Sequence, residues 1–293
     1  MTIFERRNGG FQGRAEQLRL HNRFSYKTQQ TTMSRNQCFR PVRIRSQPHT
    51  RCADCLVRPS SLFACAPEST LDHMQEYRET QLEVAAGQTL IYEGERPQFA
   101  YTLYSGWVTL FQTLHSGKRQ ILRFGLPGDF IGLQVNGSGV VAYAVEALTD
   151  AVFCAFRYPV VGRMLDNEAF IGKRLLAMQI RDSNLCQHHL MGAGRKSAEE
   201  KIAFLLLELY HRARLQLPAS AVNDDGSIVF PLTQEDIADA VGLSKIHVNR
   251  VLRDLVKRGY ILCEHKRLRI VSEERLARLA EFEVSMITTP ELR

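Results

Sequence analysis

Between Leu232 and Leu262 the apolar residues follow the spacing of two short helices joined by a tight turn. Thr233 is a potential N-cap of the first helix, which Gly242 ends. Ser244 is a potential N-cap of the second. The buried stripe of the first helix consists of Ile237, Ala240 and Val241, and that of the second of Val248, Val251, Leu252 and Leu255. We therefore expect two helices that pack through these stripes.

The opposite face of the second helix carries side chains that suit the major groove of DNA. Successive residues of an α-helix are about 100° apart, so this face projects away from the apolar stripe. An arginine there can donate two hydrogen bonds to a guanine edge, and lysines such as Lys257 can contact phosphates. The candidate DNA-binding residues are Thr233, Ser244, Lys245, Ile246, His247, Asn249, Arg250 and Arg253.

Charge alone favours a helical hairpin with a solvated basic face, because most charged helix faces contact only water. The residues that follow the second helix favour DNA binding instead. Gly259 ends that helix, and the runs YILC and RLRIV, separated by EHK, predict a two-stranded wing.

Short β-like runs separated by glycines extend from Gln81 to about Phe156. Their spacing suits the tight corners of a jelly-roll barrel. The glycines concerned are Gly87, Gly94, Gly106, Gly117 and Gly128. We expect an antiparallel barrel in this region.

A long helix is predicted from Asn167 to about Met191, with a seam whose residues recur at alternating steps of four and three. The seam consists of Ile171, Leu175, Met178, Asp182, Leu185 and His189. Packing along it would form a two-fold dimer, in which Asp182 would repel its symmetry mate. The alternative is that the seam packs on the barrel of its own chain. Gly192 and Gly194 predict a hinge, and Ser197 with Glu200 predicts a capping box that begins the next helix.

The predicted fold class is α+β: a jelly-roll barrel, a long dimerisation helix and a winged helix-turn-helix. With 293 residues, the chain is long enough for two domains with their own cores. The predicted segments are a disordered basic tail (1–51), a cysteine-bearing segment (52–80), the barrel (81–160), the long helix with its hinge (161–194), the DNA-binding domain (195–275) and a C-terminal tail (276–293).

The net charge of +7 comes from the N-terminal tail. Residues 1–51 hold 11 of the 38 basic residues and only two acids, so the remainder is slightly negative. The prediction of DNA binding therefore rests on local placement of charge in the second helix. Met33 is a plausible alternative start. We expect a cytoplasmic location and no membrane association, because the chain has no signal-peptide pattern and no apolar run near the roughly 18 residues that span a bilayer.

The segments LTQEDIADAVGLS, VNRVLRDL and GYI resemble the helix-turn-helix of the Crp/Fnr family of bacterial transcription regulators, and the resemblance, closest to the Fnr/FixK-like branch, covers nearly the whole chain. In that family the arginine matching Arg250 reads a guanine. Most members carry a glutamate where this chain has Ile246, which cannot accept a hydrogen bond from cytosine, so the operator is expected to differ.

The resemblance also implies a cyclic-nucleotide-binding-like barrel and a homodimer on a palindromic operator in double-stranded DNA. The half-sites would lie about one duplex turn, or roughly 34 Å, apart. The predicted hairpin tip from Leu114 to Lys118 would contact RNA polymerase. Cyclic nucleotide binders of the family carry an Arg-Ser pair against the phosphate. This chain has no arginine from Ile131 to Phe156, so we expect no cyclic nucleotide.

Seven cysteines, an odd number without an export signal, disfavour a disulfide framework. Cys52 and Cys55 form a CxxC pair, which fits zinc, an iron-sulfur cluster or a dithiol switch. By resemblance to the Fnr branch, the two cysteines and the distant Cys154 match ligands of an oxygen-labile [4Fe-4S] cluster. Cys65 is the candidate third N-terminal ligand, although Phe63 stands where some relatives place it. Cluster assembly would favour the dimer, and oxygen would release DNA.

Other interpretations of these residues stay open. The cysteines could have only a structural role, and Cys38 could replace Cys65. A regulator without a cofactor, or one in which His73, His115, His188 or His189 binds haem, is a further alternative. From another class, the chain could be a thiol or zinc module that binds proteins and not DNA. We expect no enzyme, because no nucleophile, base and orienting acid occur together at a recognisable spacing.

Overall fold

The computed structural model of the chain describes residues 42–45, 49–217 and 222–291. The predictions for Met33 and Cys38, and for most of the basic tail, fall outside these residues. None of the helices in the described ranges combines the length and hydrophobicity needed to cross a bilayer.

Two antiparallel sheets form the N-terminal barrel. Their strand orders are β1-β2-β9-β4-β7 and β3-β8-β5-β6. The strands are β1 Arg43–Ile44, β2 Thr80–Val84, β3 Thr89–Ile91, β4 Phe99–Ser105, β5 Val108–Thr113, β6 Arg119–Gly125, β7 Phe130–Ile131, β8 Ala144–Ala147 and β9 Ala151–Arg157. Leu103, Val145 and Phe153 are among the apolar side chains that fill the space between the sheets.

The predicted glycine corners are present. All five predicted corner glycines have positive φ angles, which only glycine adopts without strain. Gly128, with a φ of +99°, also lies so close to Ser60 that a Cβ atom would be 2.8 Å from the Ser60 Cβ. This corner therefore needs glycine for two reasons, backbone conformation and space.

Seven α-helices and a small sheet, with three short 3₁₀ helices, complete the described part of the chain. The helices are α1 Leu71–Glu76, α2 Tyr158–Asn167, α3 Ala169–Arg195, α4 Ala198–Gln216, α5 Gln234–Val241, α6 Lys245–Lys257 and α7 Glu273–Ala280. The sheet consists of β10 Ile228–Val229, β11 Ile261–Glu264 and β12 Arg267–Ile270, in the order β10-β12-β11. The α+β class and the order of barrel, long helix and winged helix-turn-helix agree with the sequence prediction.

Both predicted tails contain ordered structure. Arg43 and Ile44, in the segment predicted to be disordered, pair with β2 as an edge strand. At the other end, α7 crosses the predicted boundary after residue 275, and Leu276 and Ile287 are buried. Their apolar side chains extend the core around α4, so residues 276–291 belong to the C-terminal domain rather than to a tail.

The predicted hinge at 192–194 is wrong, because α3 runs without a break to Arg195. Gly192 is buried, and its carbonyl accepts a hydrogen bond from the backbone amide of Lys196 at 3.0 Å. A glycine inside a helix costs only about 1 kcal/mol, which surrounding packing can offset. The predicted capping box of Ser197 and Glu200 then begins α4 two residues later.

The predicted dimer seam of α3 packs inside the chain, which is the alternative that the sequence left open. Ile171 and Met178 are buried with the cysteine-bearing segment, and Leu185 is buried with the apolar residues of β6 and α4. Asp182 does not face open solvent either, because it forms salt bridges with Arg123 of β6 and with Arg181. The expected repulsion between two symmetry-related copies of Asp182 therefore has no basis in this conformation.

Candidate nucleic-acid interface and cysteine site

Local hydrogen bonds fix the two helices that the sequence predicted. Thr233 Oγ1 accepts from the backbone amide of Asp236 at 3.1 Å, and the Asp236 carboxylate accepts from the amide of Thr233 at 2.8 Å. Gly242 ends α5 in the left-handed conformation, and Ser244 Oγ accepts from the amide of His247 at 3.3 Å. These caps satisfy helix-terminal amides that would otherwise lack partners, so they fix the residues at which α5 and α6 begin.

The two faces of α6 differ as the pattern predicts. The apolar stripe Val248, Val251, Leu252 and Leu255 is buried. On the other face Ile246 is 84% exposed, and Arg250 and Arg253 are exposed as well. In the described parts of the chain, no side chain forms a salt bridge or hydrogen bond with either arginine. Both guanidinium groups are therefore available to a ligand.

Four of the predicted DNA-binding residues have contacts within the domain, and one of them is Ser244, which caps α6. Thr233 caps α5, Asn249 donates a hydrogen bond to Gln234 Oε1 at 3.0 Å, and Lys245 lies 3.7 Å from a carboxylate oxygen of Glu235. Asn249 therefore holds α6 against α5. The exposed pair of Lys245 and Glu235 is weak, and phosphate can compete with it.

The predicted wing is present as a hairpin of β11 and β12. Its turn contains His265 and Lys266, both with positive φ angles, which match the twist of a two-residue hairpin turn. Arg267 is held by Ser227, whose hydroxyl and carbonyl accept hydrogen bonds at 2.9 Å. Lys266 at the exposed tip is a phosphate-contact candidate that the sequence prediction omitted, although the short EHK turn was a signal for it.

Three of the four predicted cluster ligands line one cavity. Cys52, Cys55 and Cys154 surround a space of about 30 Å³ at the base of the barrel, although they come from segments far apart in sequence. Gln81 Nε2 donates to Cys154 Sγ at 3.3 Å, and Arg78 Nη1 lies 4.0 Å from the same sulfur. Both donors therefore lie beside the sulfur that the resemblance matched to the distant cluster ligand.

The environment of the CxxC pair opposes ionisation of the thiols. Burial raises the pKa of Cys52 to about 11, and it raises the pKa of Cys55 as well. Arg78 acts in the opposite direction on Cys52 but does not outweigh burial. Both thiols are therefore protonated near neutral pH, and a metal that bound them would have to displace two protons.

Cys65 lies apart from the other three candidate ligands. It is exposed, and the charged group near it is Arg174 of α3. Phe63 lines the cavity instead and packs edge-on against Phe156, with ring centroids 5.8 Å apart. Among the described residues no three metal-binding side chains are close enough to hold one ion. The four-cysteine set that the resemblance implied is thus only partly assembled in this conformation.

The histidines considered for haem have other neighbours. His189 Nε2 lies 2.6 Å from Glu208 Oε2 of α4, and His188 packs against Phe204. His73 Nδ1 lies 3.2 Å from a carboxylate oxygen of Glu76. Two of these imidazoles therefore already pair with carboxylates.

A second stripe on α3 faces outward. Leu176 is 55% exposed and Leu190 is 73% exposed, with Ile180 half-buried between them. The stripe consists of Leu176, Ile180, Ser183, Gln187 and Leu190. These residues recur at steps of four, three, four and three, which is the spacing of a coiled-coil seam. They lie about 140° around the helix from the predicted seam.

Two family models match the chain. Residues 81–168 match a cyclic nucleotide-binding domain, and residues 200–279 match a Crp-like helix-turn-helix domain. The first match covers the barrel from β2 through α2. The second covers nearly all of the domain that carries α5 and α6.

Several known proteins are similar over most of their length. The chain is 37% identical over 235 residues to the transcriptional activator protein FnrL of Cereibacter sphaeroides, covering 79% of this chain and 91% of that protein. It is 29% identical over 229 residues to the nitrogen fixation regulation protein FixK of Bradyrhizobium diazoefficiens, covering 78% and 93%. The solved structure of FixK2 from Bradyrhizobium japonicum matches with a TM-score of 0.60 at 26% identity, covering 68% of this chain and 96% of that one.

Proposed function

As a member of the Crp/Fnr family, in its Fnr and FixK branch, this chain is a DNA-binding transcription regulator, and we propose that it acts as a homodimer on a palindromic operator. The observation that carries this proposal is the outward face of α6, where Arg250 and Arg253 are exposed on a helix held by two sets of caps. Rigid presentation of unpaired donors is what base recognition requires, because each misplaced contact loses affinity.

Exposed residues of α6 and of the wing have distinct roles in this proposal. Arg250 reads a guanine through two hydrogen bonds, and Ile246 contacts a thymine methyl group. Lys257, exposed at the end of α6, contacts the phosphate backbone, as does Lys266 at the wing tip. Binding to a bacterial chromosome also implies a cytoplasmic location.

The dimer forms through the outward stripe of α3. Leu176, Ile180 and Leu190 are the apolar side chains of that stripe, and their exposure in a single chain leaves them available to a partner. Two parallel copies of α3 would then place the two DNA-binding domains side by side. Ser183 and Gln187 in the middle of the seam lower its apolar area, so the dimer is expected to be marginal and open to control.

RNA polymerase is the expected protein partner. The β5–β6 hairpin ends in a tight turn in which the amide of Gly117 donates to the carbonyl of Leu114 at 2.8 Å. Leu114 and Lys118 are exposed there and are free for a protein contact. Substitution of Lys118 with Ala should lower transcription from a bound promoter while leaving DNA affinity unchanged, which footprinting and run-off transcription measure. A loss of DNA affinity would argue against this contact.

Oxygen sensing through a [4Fe-4S] cluster is the regulatory input that the cysteines support. Such a cluster, when bound, supplies sensitivity to oxygen. Cys52, Cys55 and Cys154 would hold it at their shared cavity, where Gln81 donates to the sulfur of Cys154, but this cavity of about 30 Å³ has room for about one water molecule and would have to widen. Cys65 completes the set only if residues 61–66 rearrange. No cyclic nucleotide is expected, because the chain has no arginine from Ile131 to Phe156 to pair with its phosphate.

Anaerobic reconstitution tests the cluster. Iron and sulfide are measured per chain, and the absorption spectrum is recorded before and after exposure to air. Cys65→Ser should abolish cluster uptake, whereas Cys186→Ser, which changes an exposed cysteine of α3, should leave it intact. Equal uptake by both variants would contradict the role of Cys65. Absence of iron in the wild type would favour a regulator without this cofactor, and bound zinc or haem would favour those alternatives.

Selection from randomised duplexes tests the DNA-binding proposal. The recovered sequences should form an inverted repeat whose half-sites are separated by about one turn of duplex, roughly 34 Å, or a multiple of it. Arg250→Ala should weaken binding to the selected duplex by about 1–3 kcal/mol. Arg275→Ala removes an exposed arginine of the same domain on α7 and should have no such effect. Recovery of unrelated sequences would contradict the proposal.

A further inference from the structure

Asp129 is a buried carboxylate in the turn between β6 and β7, with no exposed surface. Its Oδ1 accepts from Arg181 of α3 at 3.0 Å, and its Oδ2 accepts from Arg212 of α4 at 2.7 Å. Gln216, in the last turn of α4, donates to Oδ1 at 3.0 Å, and the backbone amide of Leu126 donates to Oδ2 at 3.0 Å. One barrel carboxylate thus contacts both the long helix and the first helix of the DNA-binding domain.

Arg212 connects α4 to the barrel at a second point. Its Nη1 donates to the backbone carbonyl of Phe124 in β6 at 3.1 Å and to Glu208 at 3.1 Å. The side chain is buried. Arg212 belongs to an apolar helical stripe with Leu205 and Leu209, and a charged residue in such a stripe is the one sequence signal for this network.

The charges of this network hold each other ionised. Burial alone would raise the pKa of Asp129, but the charges of Arg212, Arg181 and Arg123 outweigh it and hold the pKa well below its usual range. Burial would lower the pKa of Arg181, and Asp129 with Asp182 raises it above its usual value. Loss of the Asp129 charge would leave two buried arginines short of a counter-ion, which is a strongly unfavourable state.

Other contacts extend the same interface toward α5. Trp107 of the β4–β5 turn is buried against Phe230, which precedes the helix-turn-helix, with ring centroids 6.3 Å apart. Gln120 of β6 donates to the backbone carbonyl of Ala240 in α5 at 3.2 Å. The barrel therefore contacts the DNA-binding domain directly, while Arg250 on α6 remains exposed.

We propose that Asp129 is a positioning residue for DNA recognition, which orients the DNA-binding domain on the barrel through Arg212 and Gln216. Apolar contacts such as that of Trp107 and Phe230 are not directional, whereas a carboxylate with four fixed donors allows one orientation. Movement of β6 or β7 is then transmitted straight to α4, in addition to any movement of α3. This inference rests on the proposed function, because operator binding is one of its two readouts.

The single tryptophan gives a readout that does not involve DNA. Trp107 is the only tryptophan of the sequence and lies in the interface itself. In Asp129→Asn, acrylamide should quench Trp107 several-fold more strongly than in the wild type, with unchanged far-ultraviolet circular dichroism. Glu83→Gln is the control, because Glu83 pairs with Arg45 between β1 and β2 and should leave Trp107 protected. Continued protection of Trp107 in Asp129→Asn would overturn the proposal.

Operators with different half-site spacings give the second readout. The wild type should prefer one spacing over neighbours that differ by one base pair. In Asp129→Asn affinity for the preferred spacing should fall at least about tenfold, about 1.4 kcal/mol, and the preference should flatten. An equal loss on every spacing would indicate general destabilisation and contradict positioning. Failure of the wild type to bind any operator would instead contradict the proposed function, while the Trp107 measurement would still test Asp129.

A second variant covers the case in which Asp129→Asn does not fold. Arg212→Gln removes the positive charge of residue 212 on α4 but leaves the salt bridge between Asp129 and Arg181 intact. It should also expose Trp107 and flatten the spacing preference, and Arg212→Lys should restore both in part because it keeps the charge. Protection of Trp107 in Arg212→Gln, or equal behaviour of the Gln and Lys variants, would overturn the proposal.

Discussion

The helices α6 and α3 both carry apolar stripes that the sequence reveals, yet only in α6 does the stripe show which side faces the rest of the protein. In α6 the face opposite Val248 and Leu255 carries arginine and lysine, so only one orientation buries apolar area. In α3 two stripes have coiled-coil spacing, one around Met178 and the other around Leu190. The inner stripe packs within the chain, and the outer one stays exposed.

The difference shows that spacing identifies a seam but not its partner. A residue pattern records which side chains share a face of the helix, and both faces of α3 meet that requirement. The sequence predicted that Asp182 would repel its copy across a dimer seam. In the fold its carboxylate forms salt bridges with Arg123 and Arg181 instead. Only contacts distant in sequence distinguish a face that packs in the chain from a face that packs on a second subunit.

The largest expected effect distinguishes an Asp182 that forms salt bridges within its own chain from an Asp182 that faces its copy in a dimer. Asp182→Ala should lower the free energy of unfolding by about 3–5 kcal/mol, because it leaves Arg123 without its salt-bridge partner and removes one of the two partners of Arg181 in a largely buried place. Asn184→Ala, at an exposed position of α3 outside both stripes, should change it by less than about 0.5 kcal/mol. Urea unfolding measures both. A stable Asp182→Ala variant with a tighter dimer would restore the inner stripe as the dimer seam.

The outer stripe is tested by placing a charge in it. Leu190→Asp should raise the dimer dissociation constant roughly 100-fold, about 3 kcal/mol, because each subunit would bury an unpaired carboxylate in the seam. Leu165→Asp, on the exposed side of α2, is the matched control and should leave the dimer unchanged. Sedimentation velocity over a range of concentrations measures the constant. Equal dissociation constants for the two variants would show that the dimer forms elsewhere.

The exposed face of α6 is tested through specificity. Ile246→Glu should shift preference at one base pair of each half-site toward cytosine by about 1–3 kcal/mol, because a carboxylate accepts from cytosine N4 and isoleucine does not. The fold should not change, since the side chain is solvent-exposed. Val271→Glu is the control, because it makes the same kind of change at another exposed site and should not shift the base preference. Binding to a set of half-site variants measures the shift, and uniform weakening at all positions would argue against base contact.

The smallest expected effect concerns His189, which the sequence placed in the dimer seam. Burial would lower its pKa, but the charge of Glu208 and its hydrogen bond to His189 together outweigh burial and raise the pKa, against smaller opposing effects of Arg212 and Lys196. The stabilisation is therefore complete below the unfolded pKa of about 6.5 and disappears as pH rises through the higher folded pKa. The loss should be less than about 1 kcal/mol, because the His189 side chain is 34% exposed.

Comparison of two histidine variants isolates this effect. The free energy of unfolding of the wild type should fall as pH rises from about 6.5, and His189→Gln should remove that slope. His188→Gln, which changes a neighbour that packs on Phe204, should keep it. An unchanged slope in His189→Gln would mean that another group titrates in this range.

Local signals gave the reliable predictions. The capping boxes of Thr233 and Ser197, the glycine corners and the wing each depend on residues a few positions apart, so sequence alone predicts them. Cys52 and Cys154 were matched by resemblance, and the structure brings them to one cavity. Cys65 does not line that cavity in the structure, because the position of a turn residue depends on packing such as that of Phe63 against Phe156.

The remaining features depend on contacts between distant segments. Nothing near Asp129 in the sequence shows that Arg181 and Arg212 surround it, since they lie more than 50 residues away. The helix through Gly192 and the packing of α7 likewise follow from tertiary contacts that override local propensity. Which of the two stripes of α3 packs within the chain also depends on contacts between distant segments.

The most direct test of the central claim, that paired subunits present α6 to DNA, is an anisotropy titration of the selected operator at several salt concentrations. We predict two chains per duplex, an affinity that falls steeply as salt increases, and a loss of about 1–3 kcal/mol in Arg250→Ala. Binding of one chain per duplex, an affinity independent of salt, or full affinity in Arg250→Ala would contradict it.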